Sequence, residues 1–175
     1  MTTEYYFPEV FVEGIKSYKY VVETNTNEYI VVPSHIIESY SYKRLFGHVV
    51  YEDALRYIDL VKPEIVKSIV VIKKYGGGVM KGMLVEKGVT PCLAEAKGYR
   101  VYVEVREGDV IERSDRVAYI ITSKGEIRIY RSPCTGLVLL VVNIVWDKPE
   151  KYILVVVNRD EAREITIREA TRNSV

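Results

Sequence analysis

Lys124 is the residue whose position in the sequence most directly suggests chemistry. It stands in Ile-Thr-Ser-Lys-Gly-Glu between two apolar stretches, and Gly125 can adopt the positive φ that a tight hairpin turn requires. A lysine at such a tip projects from its sheet, so an acyl or carboxyl group carried there could visit several active sites. The alternative is an ordinary solvated lysine in a β-turn, and both interpretations stay open at this point.

The two cysteines occupy matching places in a weak internal repeat. Cys92 follows Thr-Pro and Cys134 follows Ser-Pro, and each precedes an alternating strand and an acidic turn. Two similar halves around a pseudo-twofold axis would share one core, which could bring these positions together as a disulfide or a close thiol pair. A nucleophilic cysteine is the alternative, but it needs a base, and the two histidines, His35 and His48, lie far away in the sequence.

Other chemically active side chains are sparse. Two cysteines and two histidines are a poor supply for a four-ligand zinc site, so we expect no metal. The close carboxylates Glu107 and Asp109, and likewise Glu112 and Asp115, lie among arginines, which indicates solvated ion pairs. We therefore predict no catalytic residue.

The elements that position these residues read mostly as strands. Residues 10–12, 18–22 and 29–32 are short β-branched or aromatic runs, and 65–72 reads as a buried strand. Leu55, Ile58 and Val61 recur at helical spacing, which predicts a helix over 51–61 that ends before Pro63.

A run of three glycines divides the chain. Because a strand-like segment follows 76–78, a hinge is favoured over a phosphate-binding loop, which would require a helix there. Beyond it the chain is almost wholly β: alternation over 99–105, the hairpin around Lys124, and two long apolar runs. We predict an α+β, mostly β fold with two domains, divided as follows: 1–78 mixed α+β, 79–90 connecting, 91–157 β, and 158–175 a polar tail.

The β half resembles a biotinyl/lipoyl-type domain, the barrel-sandwich hybrid built from two pseudo-symmetric halves. The resemblance covers 91–157 and rests on the Gly-Asp turn at 108–109, the strand after Asp115, the Pro-x-x-Gly strand start at 133–136, and Lys124 on the hairpin. It implies a C-terminal barrel-sandwich hybrid and, if Lys124 is modified, biotin or lipoate as the cofactor. The whole chain also resembles an uncharacterised archaeal family that carries such a domain.

The tip departs from the attachment sequences of that family. It reads Ser-Lys-Gly, where biotin carriers have Met-Lys-Met and lipoyl carriers typically Asp-Lys-Ala. Lys81, in Met-Lys-Gly-Met, superficially resembles a biotin site but lacks the hairpin frame. We therefore expect no cofactor and favour a non-enzymatic binding or assembly module. A carrier modified at Lys124 is the first alternative, and an enzyme with an interdomain cleft site is the second.

Composition limits the partners. Net charge is +1, with 25 basic and 24 acidic residues, which gives no electrostatic footprint for nucleic acid. Neither a signal peptide nor a membrane-spanning apolar segment is recognisable, so we expect a cytoplasmic protein with a protein partner or a homo-oligomer. The absence of glutamine and the many charged residues favour a thermophilic source.

Overall fold

The computed structural model describes residues 7–74, 79–145 and 147–171. Their regular structure consists of strands and three 3-10 helices, Ser34–Ser39, Tyr51–Tyr57 and Arg159–Glu161, without an α-helix. The strands are β1 Glu9–Glu13, β2 Lys19–Glu23, β3 Tyr29–Pro33, β4 Arg44–Val49, β5 Ile58–Asp59, β6 Glu64–Ile65, β7 Ile69–Lys74, β8 Val79–Val85, β9 Cys92–Gly98, β10 Arg100–Val103, β11 Val110–Ile111, β12 Arg116–Ile121, β13 Ile127–Arg131, β14 Gly136–Val145, β15 Glu150–Val157 and β16 Ala162–Glu169.

Seven strands form a closed barrel in the order β1-β4-β2-β3-β16-β8-β7. All neighbours are antiparallel except β16 and β3, which run parallel. Alternate side chains point inward, as the two-residue period of a strand dictates, and they fill the interior with a cluster that includes Phe11, Phe46 and Ile167.

Charged side chains close the two ends of this apolar interior. At one end the Arg44 guanidinium donates to both carboxylate oxygens of Glu86, at 2.8 and 3.0 Å, and also to the buried Glu23. At the other end Lys19 lies 2.6 Å from Glu9, with His48 beside that carboxylate. The Arg44 guanidinium holds the pKa of the Glu86 carboxyl below its usual value, and the Ser68 hydroxyl adds to the effect.

The C-terminal half contains two smaller sheets that face each other. One is four-stranded, in the order β11-β14-β15-β9, and the other is three-stranded, in the order β10-β12-β13. Leu154 and Val156 of the first sheet pack with Val117 of the second in a buried cluster. This packing makes a two-layer β structure in which the hairpin of β12 and β13 lies on the three-stranded side.

The barrel packs on the opposite face of the four-stranded sheet. Val10, Val71 and Val85 on the outside of the barrel share one core with Leu140 and Val155 of the sheet. The two central strands of this sheet, β14 and β15, are therefore buried on both faces, which is why they are continuous apolar runs instead of alternating ones.

The prediction of an α+β, two-domain arrangement is wrong. The described residues are nearly all β, and a seven-stranded closed barrel replaces the mixed N-terminal domain. The helix expected over 51–61 is a 3-10 helix that ends at Tyr57, followed by the short strand β5. The helical spacing was misleading because Val61 is 96% exposed and packs on nothing.

The segments expected to connect the domains and to form a tail contain two barrel strands. Strand β8 lies within 79–90 and β16 lies within 158–175, and the two pair along seven residues. The glycines at 76–78 lie outside the described residues, so the hinge and the domain boundaries stay predictions.

Candidate functional site

The hairpin predicted from the sequence is present and carries Lys124 at its tip. The backbone N–H of Gly125 donates to the Thr122 carbonyl at 2.9 Å, and the N–H of Glu126 donates to the Thr122 hydroxyl at 3.1 Å. Gly125 has a φ of +80°, the left-handed conformation that completes such a turn. Lys124 is exposed, and within the described part of the chain its ammonium forms no hydrogen bond or ion pair.

Below the tip, the solvent-facing side of the three-stranded sheet presents a regular grid of side chains. Strand pairing places Tyr102, Tyr119 and Ile129 in one row and Arg100, Ile121 and Ile127 in the next. Arg116 and Arg131 form a third row at the far end. We call these eight residues the outer face.

The centre of the outer face is apolar and open to solvent. Ile127 is 69% exposed, Tyr102 55% and Ile129 49%, so three large side chains of one face are unburied together. Such a contiguous patch differs from singly scattered surface apolar residues, which need no explanation.

Arginines border this apolar centre. Three of the eight residues of the outer face are arginines, Arg100, Arg116 and Arg131, and none of the eight is acidic. The Arg116 guanidinium lies 5.1 Å from the centre of the Tyr119 ring and 2.7 Å from the Glu104 carboxylate, so one arginine is held in place on the face.

The structure joins Cys92 and Cys134 in a disulfide with Cα atoms 5.8 Å apart. Cys92 begins β9, and Cys134 precedes β14 and is buried between the two C-terminal sheets. The Ser132 hydroxyl, which is buried, donates to the carbonyl of Cys134 and accepts from its N–H, and this fixes the turn. Because the two cysteines are bonded to each other, neither is a free thiol that could act as a nucleophile, and His48 faces the interior of the barrel.

The paired carboxylates have structural roles. Asp109 accepts a hydrogen bond from the backbone N–H of Arg106, and Asp115 accepts one from Glu112, both at 2.8 Å. These are turn caps of the kind that aspartate makes with nearby backbone groups. Among the described residues, no three His, Cys, Asp or Glu side chains come together as a metal site would require.

Sequence reasoning missed Tyr51, which connects the barrel side of the molecule to the C-terminal half. Its hydroxyl donates to the Glu107 carboxylate and accepts from the backbone N–H of Val141 at 2.7 Å. Burial first, and then the negative charge of Glu107, raise the pKa of Tyr51 far above its usual value. The phenol therefore keeps its proton and bridges two elements. The partners are 56 and 90 residues away, and no local pattern signals them.

In the ranges that the structure describes, no helix is long and apolar enough to cross a membrane.

Comparison with known proteins identifies a family and a relative. A family model described as "Uncharacterized protein conserved in archaea (DUF2118)" matches residues 5–159. An uncharacterized protein of Methanocaldococcus jannaschii is 28% identical over 120 residues, which are 69% of this chain and 71% of that protein. Function has to be argued from the site itself.

Proposed function

The chain belongs to a family of uncharacterized proteins conserved in archaea, and from this premise we propose that it is a non-catalytic assembly module. It binds a protein partner through the outer face and the adjoining Lys124 hairpin. The observation that carries the proposal is the exposed apolar centre of the outer face with arginines around it.

The side chains of the outer face are those that protein interfaces use most. Tyrosine and arginine are enriched at the energetic centres of interfaces, because they bury large areas and retain a polar group that can pair. Covering Tyr102, Ile127 and Ile129 would remove their exposed apolar area from water, at about 25 cal/mol per Å².

The charges of the face indicate the chemistry of the partner. Arg100 and Arg116 already lie beside Glu150 and Glu104, whereas Arg131 has no carboxylate partner among the described residues, so a complementary surface has an apolar centre and an acidic group that faces Arg131. Strands β10 and β13 are edge strands of the sheet, so the partner can also add a strand to one of them. The aliphatic centre and the near-neutral net charge favour a protein over a nucleic acid.

The biotinyl/lipoyl-like character of residues 91–157 is part of this proposal. Two facing sheets and a lysine on an exposed hairpin support it. In this proposal the domain displays the hairpin and the outer face to the partner, and the altered sequence of the tip leaves Lys124 unmodified.

Photocrosslinking tests the interface. A benzoylphenylalanine at position 129 is compared with one at position 61, since Val61 is exposed and apolar but lies outside the outer face. In an extract of the source cells we expect a protein adduct at 129 and none at 61. The protein recovered must then bind the purified chain.

Charge reversal completes the test. Arg131→Glu should weaken binding of the recovered protein at least tenfold, while Arg56→Glu, on a distant and exposed side chain, should not. Equal binding by the two variants, a nuclease-sensitive adduct, or an adduct with a second copy of this chain would each overturn the proposed partner.

A carrier function is the second candidate, and the exposed, unpaired Lys124 at the hairpin tip favours it. Intact-mass measurement of the protein from its own source, with peptide mapping across 121–131, decides between the two. The module predicts an unmodified mass, whereas a lipoyl- or biotin-sized addition on Lys124 establishes the carrier. Lys124→Arg, which cannot be acylated, is the control for the site of any addition.

A further inference from the structure

A cleft of about 340 Å³ opens at the seam between the barrel and the C-terminal sheets. We call it the seam cleft. Strands β7, β8 and β16 form its barrel side, and the turn around Gly108, the start of β14 and the third 3-10 helix form the other side. It lies beside the shared apolar core, on the opposite side of the four-stranded sheet from the outer face.

Positive charge converges on the seam cleft. Its charged lining residues are Lys73, Lys81, Arg159 and Glu164. The carboxylate of Glu164 lies 3.1 Å from the Lys81 ammonium, so one cation is already paired. Lys73 and Arg159 have no carboxylate partner among the described residues, and Lys73 is half-buried. Two uncompensated cations in a cleft with low-dielectric walls create a potential that favours an anion.

Gly108 leaves space for Lys73 at the cleft. A Cβ built on this glycine would lie 2.6 Å from the Nζ atom of Lys73 and 3.0 Å from its Cε atom, so the lysine side chain runs over the space that any other residue would fill. The φ of Gly108 is +90°, which also disfavours a larger residue there. The turn of the other half of the molecule thus leaves room for the end of the lysine side chain at the cleft.

Apolar side chains complete the cleft. Val71 and Met83 of the barrel and Leu137 of β14 line it below the charges. Small-molecule sites have this composition, an apolar lining with a few converging polar groups, and a volume near 300 Å³ is the lower end of their range. The cleft therefore fits a small ligand with one concentrated negative charge.

We propose that the seam cleft binds a small phosphate-bearing anion. The planar guanidinium of Arg159 can donate two parallel hydrogen bonds to phosphate oxygens, and the Lys73 ammonium supplies a point charge. Any apolar part of the ligand would lie against Val71 and Leu137. The free anion and the phosphate group of a metabolite share this chemistry.

Titration calorimetry of the full chain with inorganic phosphate and with pyrophosphate, at constant ionic strength, tests the site. We expect saturable binding of pyrophosphate that is weakened about tenfold by Lys73→Gln and by Arg159→Gln, since each removes a hydrogen bond to a charged group. The matched controls Lys62→Gln and Arg56→Gln, on exposed side chains outside the cleft, should leave affinity unchanged.

Two further measurements separate the site from general charge effects. Glu164→Gln removes the carboxylate of the cleft and should tighten pyrophosphate binding, a gain that a poorly folded variant cannot imitate. In an amide NMR titration, the signals of Gly82 and Gly108 should shift while those of Gly88, in an open turn, should not. If methyl phosphate binds as well as inorganic phosphate, the cleft accepts a phosphate group that is esterified, as it would be in a metabolite.

The proposal fails if pyrophosphate binds no better than chloride at equal ionic strength. It also fails if the control variants Lys62→Gln and Arg56→Gln lose as much affinity as the cleft variants, because surface charge would then be the cause. Neither outcome bears on the outer face, so the two proposals stand or fall separately.

Discussion

Tyr51 holds three parts of the molecule together through one hydroxyl group. It belongs to a 3-10 helix that packs on the shared core, and it joins the Glu107 turn to the backbone of β14. A buried hydroxyl without hydrogen-bond partners would destabilise the folded state, so both of these hydrogen bonds contribute to stability.

Tyr51→Phe should therefore lower the free energy of unfolding by about 1–3 kcal/mol at pH 7, because the Val141 N–H and the Glu107 carboxylate lose their partner. Guanidinium denaturation measures this loss. Tyr42→Phe, which alters an exposed tyrosine, is the control and should change little. Equal effects of the two substitutions would mean that the bridge is not formed in solution.

The same residue predicts a pH dependence. The pKa of Tyr51 is raised in the folded protein, whereas in the unfolded chain it is about 10. Its contribution is therefore fully present below pH 10 and declines above it by up to about 1.4 kcal/mol per pH unit, since only the unfolded chain loses the proton. Burial also raises the pKa of Tyr29 and Tyr130, so the quantity to measure is wild type minus Tyr51→Phe at pH 9 and pH 11. A constant difference would contradict the prediction.

The disulfide gives the third prediction at this scale. Thiol titration of the denatured protein without reductant should detect no free thiol, and reduction should release two, because Cys92 and Cys134 are bonded. Because the cysteines are 42 positions apart in the sequence, chain entropy predicts a loss of about 4 kcal/mol of stability on reduction. Two reactive thiols in protein purified anaerobically from its source would rule the bond out there.

At the residue scale, local patterns predicted what is local. The Ser-Lys-Gly turn predicts a hairpin with Lys124 at its tip, and the repeated Pro-Cys predicts that Cys92 and Cys134 occupy matching positions. The Tyr51 bridge and the cations of the seam cleft could not be predicted in this way. Lys73 and Arg159 meet only because the barrel packs on the C-terminal sheets, and nothing around either residue signals that contact.

Among the elements, β16 differs most from its sequence-based interpretation. Its charged composition favours a polar tail, yet it pairs on both sides, with β3 and β8, and closes the barrel. Ile165 and Ile167 are the two side chains that point inward, and such a short alternating signal is easily outweighed by four charges beside it.

Ile167→Ala should cost about 2–5 kcal/mol, because Ile167 is fully buried in the barrel and its removal leaves a cavity. Thr166→Ala, at the exposed neighbouring position of the same strand, should change stability by less than about 0.5 kcal/mol. Urea denaturation of both variants provides the comparison. If Ile167→Ala behaved like Thr166→Ala, β16 would not be a barrel strand.

For the whole molecule, the important feature is that one sheet serves two cores. Side chains of β15 alternate between the barrel, which Ile153 and Val155 contact, and the three-stranded sheet, which Leu154 and Val156 contact. The two long apolar runs, over 137–142 and 152–157, predict strands. Their continuity is also the pattern of strands that are buried on both faces. Burial on both faces argues against two separate domains, because residues 91–157 alone could not cover both faces of β14 and β15.

Barrel and C-terminal sheets should therefore unfold together. An interface that is a continuous apolar core couples the two parts, whereas domains joined by a linker would melt separately. Native-state hydrogen exchange offers a direct test, since Ile167→Ala weakens only the barrel. If the parts are coupled, the most protected amides of β14 and β15 should lose the same free energy of opening as those of β2 and β3. Amides of β14 and β15 that kept their wild-type protection in this variant would show instead that the C-terminal sheets are stable on their own.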